Sequence, residues 1–474
     1  MSGNSTVVQI GSAAVSTTGG LTGKLLDQLK LALVGVNTTN TSSVSTPGTS
    51  ANPITIPSGT GAVNISTADS GLISVPSGYQ FVVYQGSGTL TGGNANTVVI
   101  GDLNYRGSAG TVIGTGTGSG TVVDTTAGAQ FAMATGNELV FGLGNNQTFQ
   151  FDSGYSTLVA GNSVQSGSSE AVSVDGTASV IGFYVGATDF MQTGGSETMY
   201  AGAGVSTLMA MSGNTVFFGS NAGDVVSLGS GNAEILNTNE TGAGAGITSV
   251  MAGTGSDTIF AQGGVNYHGG SGNSFFIGGP GSSTVYTAAN ETAFGGTGGD
   301  VVSVAAGSKL LFIGVGGADT IMGGTIAPTV WGNTNEQMTV ADSVQSGIYI
   351  LYGNNDQMNL ASTGGHSHII GLDGGAFAGN ATLTMSTAGN DSLVLFSPNQ
   401  FGMTGATHTL TVANWQASDL LDLTFASING QTFGYTQSNV SAAQAALSAG
   451  HSFTLADGTT VMFTGAKPTT IAHI

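Results

Sequence analysis

The chain has 474 residues, 81 of them glycine, and only 6% carry a charge, against about 25% in an average soluble domain. Five Lys and Arg stand against 25 Asp and Glu, a formal net charge of −20. That balance makes nucleic acid and anionic membrane surfaces poor partners and leaves divalent cations, neutral glycans or further copies of the chain. Disorder fits badly with 40% hydrophobic residues and plentiful Val, Ile, Thr and Phe, so a β protein with frequent turns is expected.

Residues 1–53 read as an N-terminal arm. Leu21–Val34 is the best helix candidate, with Leu25, Leu26, Leu29 and Leu33 on one stripe. It suits a cap over an open solenoid end, a dock on another subunit, or a contact with an export or anchoring partner. Asn37–Pro53 is rich in Thr, Ser and Asn and reads as a linker. Met1–Gly20 has no positive n-region, and the apolar run Leu25–Val36 lies deep and contains Asp27 and Lys30, so no secretory signal peptide is recognised there. No run is long enough for a transmembrane helix.

Residues 54–400 form the expected body. A short apolar residue returns about every nine positions: Met199, Leu208, Val216, Val226, Ile235, Val250, Ile259, then Phe276, Val285, Phe294, Val302, Leu311, Ile321, Val330, Val340, Tyr349 and Met358. The step from Ile259 to Phe276 is close to two beats. Such a period marks a stacked unit that buries its apolar face only against a neighbour. The expected fold class is all-β: a parallel β-solenoid or β-roll body with a short N-terminal helix and a small C-terminal β unit.

Residues 401–474 lose the glycine beat and read as that C-terminal unit. It contains Thr407–Phe425, a short helix over Asn439–Ser448, and a hairpin over Ser452–Thr464 turned at Asp457-Gly458. Cysteine is absent, which fits either simple lack of need or an exported protein stabilised by repetition or metal.

Gly295-Gly-Thr-Gly-Gly-Asp-Val-Val-Ser303 fits the nonapeptide G-G-x-G-x-D-x-U-x at every defined position. Ala252–Phe260 fits with Ala first, and Gly314–Met322 with its second glycine displaced by one. Gly269–Ile277 and Gly278–Tyr286 keep the frame with Ser274 and Ser283 in place of Asp. Over roughly residues 195–330 the chain therefore resembles the RTX family of type I-secreted proteins, whose nonapeptides build a calcium-binding parallel β-roll. The segments Ala413–Leu423 and Leu455–Gly465 are similar to the tails of such proteins, which hold an uncleaved export signal.

The resemblance implies calcium held by glycine-turn carbonyls and Asp carboxylates, with carboxylates needed one coil, about 18 residues, apart. Asp300 and Asp319 form the best pair; Asp257 lacks a carboxylate one coil on, and Asp224 is a weaker candidate. A few calcium ions at most are expected; the alternative is that these aspartates only serve turns. His366-Ser-His368 suggests a polar surface pair over a metal site, since no third ligand is near. No H-E-x-x-H occurs and no catalytic constellation stands out.

The expected function is an extracellular structural protein at the bacterial cell surface, not an enzyme, that self-assembles into a surface layer, filament or biofilm-matrix fibre with calcium assisting. Its partner would be itself, head to tail, with cell-surface or matrix polysaccharide as a further partner and no nucleic acid. The alternatives are a monomeric RTX-like adhesin or glycan-binding protein and, behind it, a secreted polysaccharide-active enzyme.

Overall fold

The structure is a computed structural model. It describes the strand backbones within residues 5–124. From 128 onward it describes all residues except 129, 134–137, 143, 162–168, 185, 203, 220–222, 238–247, 325, 327, 342–346, 353–354, 361–367, 373–379, 397–408, 427, 429–435, 457 and 473–474. The expected helix over Leu21–Val34 lies outside the described residues.

The chain is a parallel β-solenoid in two compact units, Met1–Leu236 and Asn237–Ile474. In each unit the strands of the ladder alternate between two sheets, and a ladder strand pairs in parallel with the strands one coil before and one coil after. In the first unit, Ser196–Tyr200 of sheet 1 pairs with Ser179–Tyr184 and Asn214–Gly219, while Thr207–Ala210 of sheet 2 pairs with Ala187–Gln192 and Val225–Leu228. Strand Thr41–Val44, inside the expected linker, pairs in parallel with Gly61–Ile65. Ser5–Ile10 and Ala13–Thr18 form an antiparallel pair.

The second unit is built the same way. Sheet 1 runs from Asp257–Ala261 through Ser274–Ile277, Glu291–Phe294, Leu310–Ile313 and Thr329–Trp331 to Leu420–Phe425. Sheet 2 runs from Thr248–Met251 through Thr284–Thr287, Val301–Val304 and Gly317–Gly323 to Thr409–Ala413. Period-2 alternation in each strand sends one apolar row into the space between the sheets. In sheet 1 that row is Ile259, Phe276, Ala293, Phe312, Val330 and Tyr349, all buried. In sheet 2 it is Val250, Tyr267, Val285, Val302 and Ile321. Ala293 is the small member of its row, one coil beyond Phe276, which packs on Tyr267 with ring centroids 6.2 Å apart.

The ladder runs through the expected boundary at 401: Thr409–Ala413 pairs in parallel with Asn380–Thr384, then with Thr460–Thr464. Beyond it the expected helix and hairpin are present. The helix is Gln437–Ala449, begun by Thr436, whose hydroxyl accepts the Asn439 N–H at 3.2 Å. Gly450 follows its last turn, where Lys467 Nζ donates to the carbonyls of Leu447 and, at 2.7 Å, Gly450. Asn439, fully buried, clamps the helix to the ladder: its amide donates to Ala426 O at 3.2 Å and accepts from Ile428 N at 3.1 Å. The hairpin pairs Ser452–Thr454 antiparallel to Thr460–Thr464, with Gly458 at φ +99 in the turn. Trp415 packs edge-on against Phe463, and Phe453 lies beside it. The last parallel strand of sheet 2 is thereby paired on both sides, which protects an edge that would otherwise recruit strands.

Candidate functional site

The glycines of the nonapeptide are dictated by how closely coils stack. A Cβ on Gly296 would lie 1.7 Å from the carbonyl oxygen of Gly279, and one on Gly270 equally close to that of Gly253. Gly272 meets Gly255 O at 1.6 Å. A side chain there would force the neighbouring backbone to shift, so glycine at the second and fourth positions of the repeat is what this close stacking calls for. The first position has a different neighbour. A Cβ on Gly278, Gly295 or Gly314 would lie 2.8, 2.6 or 2.5 Å from a carboxylate oxygen of Asp300, Asp319 or Glu336, respectively. Each carboxylate comes from the following coil and lodges where the preceding turn has no side chain. Where a later turn needs φ above zero without glycine it uses Asn: Asn335 at +61 and Asn355 at +56, whose side chains bond each other at 3.1 Å.

The carboxylates fill those hollows as acceptors for backbone donors. Asp300 Oδ1 accepts from Ser283 N at 2.8 Å and its Oδ2 from Gly296 N at 3.0 Å. Asp319 Oδ1 accepts from Asp300 N at 2.7 Å, and Glu336 Oε2 from Gly316 N at 2.8 Å. Asp300 and Asp319, the best pair in the sequence, are thus brought together in adjacent coils at the entry to sheet 2. Asp224 holds the same station in the first unit, accepting from Ser206 N at 2.8 Å. Glu170 does so too, accepting from Gln147 N at 2.7 Å.

Asp257 is placed elsewhere, at the entry to sheet 1, in register with Ser274 and Glu291. The Tyr267 hydroxyl reaches this row from the opposite sheet and lies beside Ser274. Sequence reasoning passed over Glu291, Glu336, Glu170 and Tyr267. Spacing was the available signal: Glu291 follows Ser274 by 17 residues, one coil, in register, and Glu336 follows Asp319 by 17 residues, two short of the register position opposite it.

Burial sets the electrostatics of these groups. It pushes Glu291 up to about 8, with Asp257 adding to the shift, and Glu170 to about 7. Asp319 is pushed to about 9, first by burial and then by Glu336 beside it. Asp300 and Glu336 are raised by the same burial, opposed by the N–H donors they hold. Glu197 is driven well above its ordinary range by burial alone. The interior therefore prefers each of these groups protonated or paired with a cation.

Calcium takes six to eight oxygens. Both oxygens of Asp300 already hold N–H groups, so the Asp300–Asp319 pair is poorly suited to bind it. Asp319 Oδ2 and Glu336 Oε1 are buried and hold no N–H donor, and these two side chains face each other. Among the described residues no group of three or more His, Asp or Glu is arranged around a metal. Of the histidine pair, His366 lies outside the described residues and only the backbone of His368 is described.

The outer faces of the two sheets differ. On sheet 1 of the second unit, Phe260, Ile277, Phe294, Ile313 and Trp331 form one outward row in register. A second outward row alternates Thr258, Thr292 and Thr329 with Phe275, Leu311 and Ile348. Neither row contains a charge. Trp331 and Ile348 are 36% and 38% exposed. On sheet 2 the same coils turn a mixed set outward: Asn266 and His268, Thr284 and Tyr286, Val301 and Ser303, Thr320 and Met322, with Tyr286 44% and Met322 37% exposed. In the first unit the outer face of sheet 1 carries a stack of Phe183, Tyr200 and Phe218, with ring centroids 4.8 and 4.4 Å apart.

No family model, curated protein or solved structure matches the chain. No helix among the described residues is long and apolar enough to cross a membrane.

Proposed function

We propose that this chain is an extracellular structural protein whose copies associate side by side into a surface layer, filament or matrix fibre. The observation that carries the proposal is the uncharged apolar outer face of sheet 1 in the second unit. A solvated sheet face ordinarily alternates apolar inside with polar outside, and contiguous exposed apolar surface is characteristic of contact surfaces. With a net charge of −20, two copies repel over most of their surface. A face without ionisable groups is where they meet at least electrostatic cost. The covered last strand of sheet 2 and the helix beside it favour this lateral contact over a head-to-tail one at that end.

Export follows from the RTX-like resemblance, with Ala413–Leu423 and Leu455–Gly465 as the signal-bearing tail. Calcium, abundant outside cells, would be held by Asp319 Oδ2 and Glu336 Oε1, with turn carbonyls or water completing its shell. There it neutralises carboxylates that burial otherwise leaves holding protons. The proposal includes no catalysis.

The test replaces Phe294 and Ile313 by Glu. Wild type forms sheets or filaments under negative-stain microscopy and sediments as large particles. The F294E/I313E protein stays monomeric at the same concentration with an unchanged β circular-dichroism spectrum. Equal assembly by both proteins, or a wild type that stays monomeric throughout, overturns the proposal.

A further inference from the structure

The outer face of sheet 2 in the second unit holds an open groove of about 340 Å³. Three successive strands line it with outward pairs: Gln337 and Thr339, Gln357 and Asn359, Thr382 and Thr384. The pairs are in register, Gln337 opposite Gln357 opposite Thr382, and Thr339 opposite Asn359 opposite Thr384. Thr320 extends the second row by one coil. All of these are amides or hydroxyls, and among the described residues none of their side chains makes a hydrogen bond to another side chain. The one carboxylate at the groove, Asp319, is 1% exposed and turned into the interior.

We propose that this groove binds a neutral polysaccharide laid along the solenoid axis. An apolar partner would desolvate amides and hydroxyls without returning their hydrogen bonds, which costs free energy at every such group. An anionic polymer meets the field of a chain with net charge −20 and finds no cation in the groove. A cationic partner finds no exposed carboxylate there. Uncharged sugar hydroxyls both donate and accept, as do Gln, Asn and Thr side chains.

Repetition points to a polymer. The polar pairs recur at the strand spacing of about 4.8 Å, close to the length of one sugar in an extended chain, so each coil addresses one residue. The inference goes beyond lateral assembly and uses the opposite sheet, so either can fail alone.

The experiment is affinity electrophoresis of the assembly-deficient F294E/I313E protein in gels containing dextran, mixed-linkage β-glucan, galactomannan or polygalacturonate. At least one neutral polymer retards the protein, and polygalacturonate does not. Adding Q337A and Q357A weakens the retardation about tenfold or more while the melting temperature is kept, the loss expected when several hydrogen bonds to ligand disappear. No retardation by any of the three neutral polymers overturns the proposal. So does equal retention by polygalacturonate, or retention indifferent to the two glutamines.

Discussion

Glu291 makes the interior carboxylates measurable. It is 4% exposed, and burial holds it near 8 instead of its ordinary 4.5. The folded chain keeps this proton over a range in which the unfolded chain has lost it. Stability from the group is therefore fully present below pH 4.5 and is lost as pH rises through about 8. At 1.36 kcal/mol per pH unit the gap corresponds to about 4 kcal/mol lost by pH 8. Glu291→Gln keeps the shape and removes the titration. Urea unfolding followed by fluorescence reports the second unit, because both tryptophans, Trp331 and Trp415, lie in it. With chelator present, wild type weakens steeply between pH 5 and 8, and the E291Q protein weakens less by about that amount. A variant with the wild-type pH slope refutes the argument that burial governs this carboxyl.

Other outcomes follow from the same geometry. Gly296→Ala drives a methyl group to 1.7 Å from Gly279 O and costs about 1–3 kcal/mol in urea unfolding. Gly307→Ala, at φ +86 with nothing within 4 Å, costs only about 1 kcal/mol, from backbone strain alone. Millimolar calcium at pH 8 raises the unfolding midpoint of wild type and leaves the D319N/E336Q protein unmoved; an equal rise in both contradicts the assignment of those two oxygens. Asn439→Ala strands the Ile428 N–H and the Ala426 carbonyl and costs about 2–3 kcal/mol, read as early loss of helical circular dichroism.

The solenoid was legible because its inward row repeats, yet three members of the beat were read one residue off. Val216, Phe294 and Leu311 face outward, and Phe217, Ala293 and Phe312 fill the interior. Each lies beside another apolar residue, so period-2 alternation does not decide which of the two points inward. Phe294 and Leu311 are ambiguous because they belong to the apolar outer face itself. The double step from Ile259 to Phe276 conceals Tyr267, whose hydroxyl disguises a core position.

The helix was readable as Asn439–Ser448, short of the observed Gln437–Ala449 by two residues at the start and one at the end, and the hairpin from its Asp457-Gly458 turn, a local signal that needs no tertiary knowledge. Loss of the glycine beat at 401 suggested a separate unit, but strand pairing needs only alternation, and Thr409–Ala413 supplies it. The column of carboxylates was half legible. The nonapeptide pattern marks Asp, whereas Glu291 and Glu336 occupy equivalent stations in turns without it, where only coil-to-coil spacing identifies them.

A chain without cysteine allows the central claim to be tested with single reporter thiols. Thr292 stands in the apolar outer face of sheet 1, and Ser303 on the outer face of sheet 2 in a neighbouring coil. Under assembly conditions and mild oxidation, the T292C protein gives covalent dimers in high yield and the S303C protein does not. Dimers formed by S303C and not by T292C, or by both alike, would contradict association through that face.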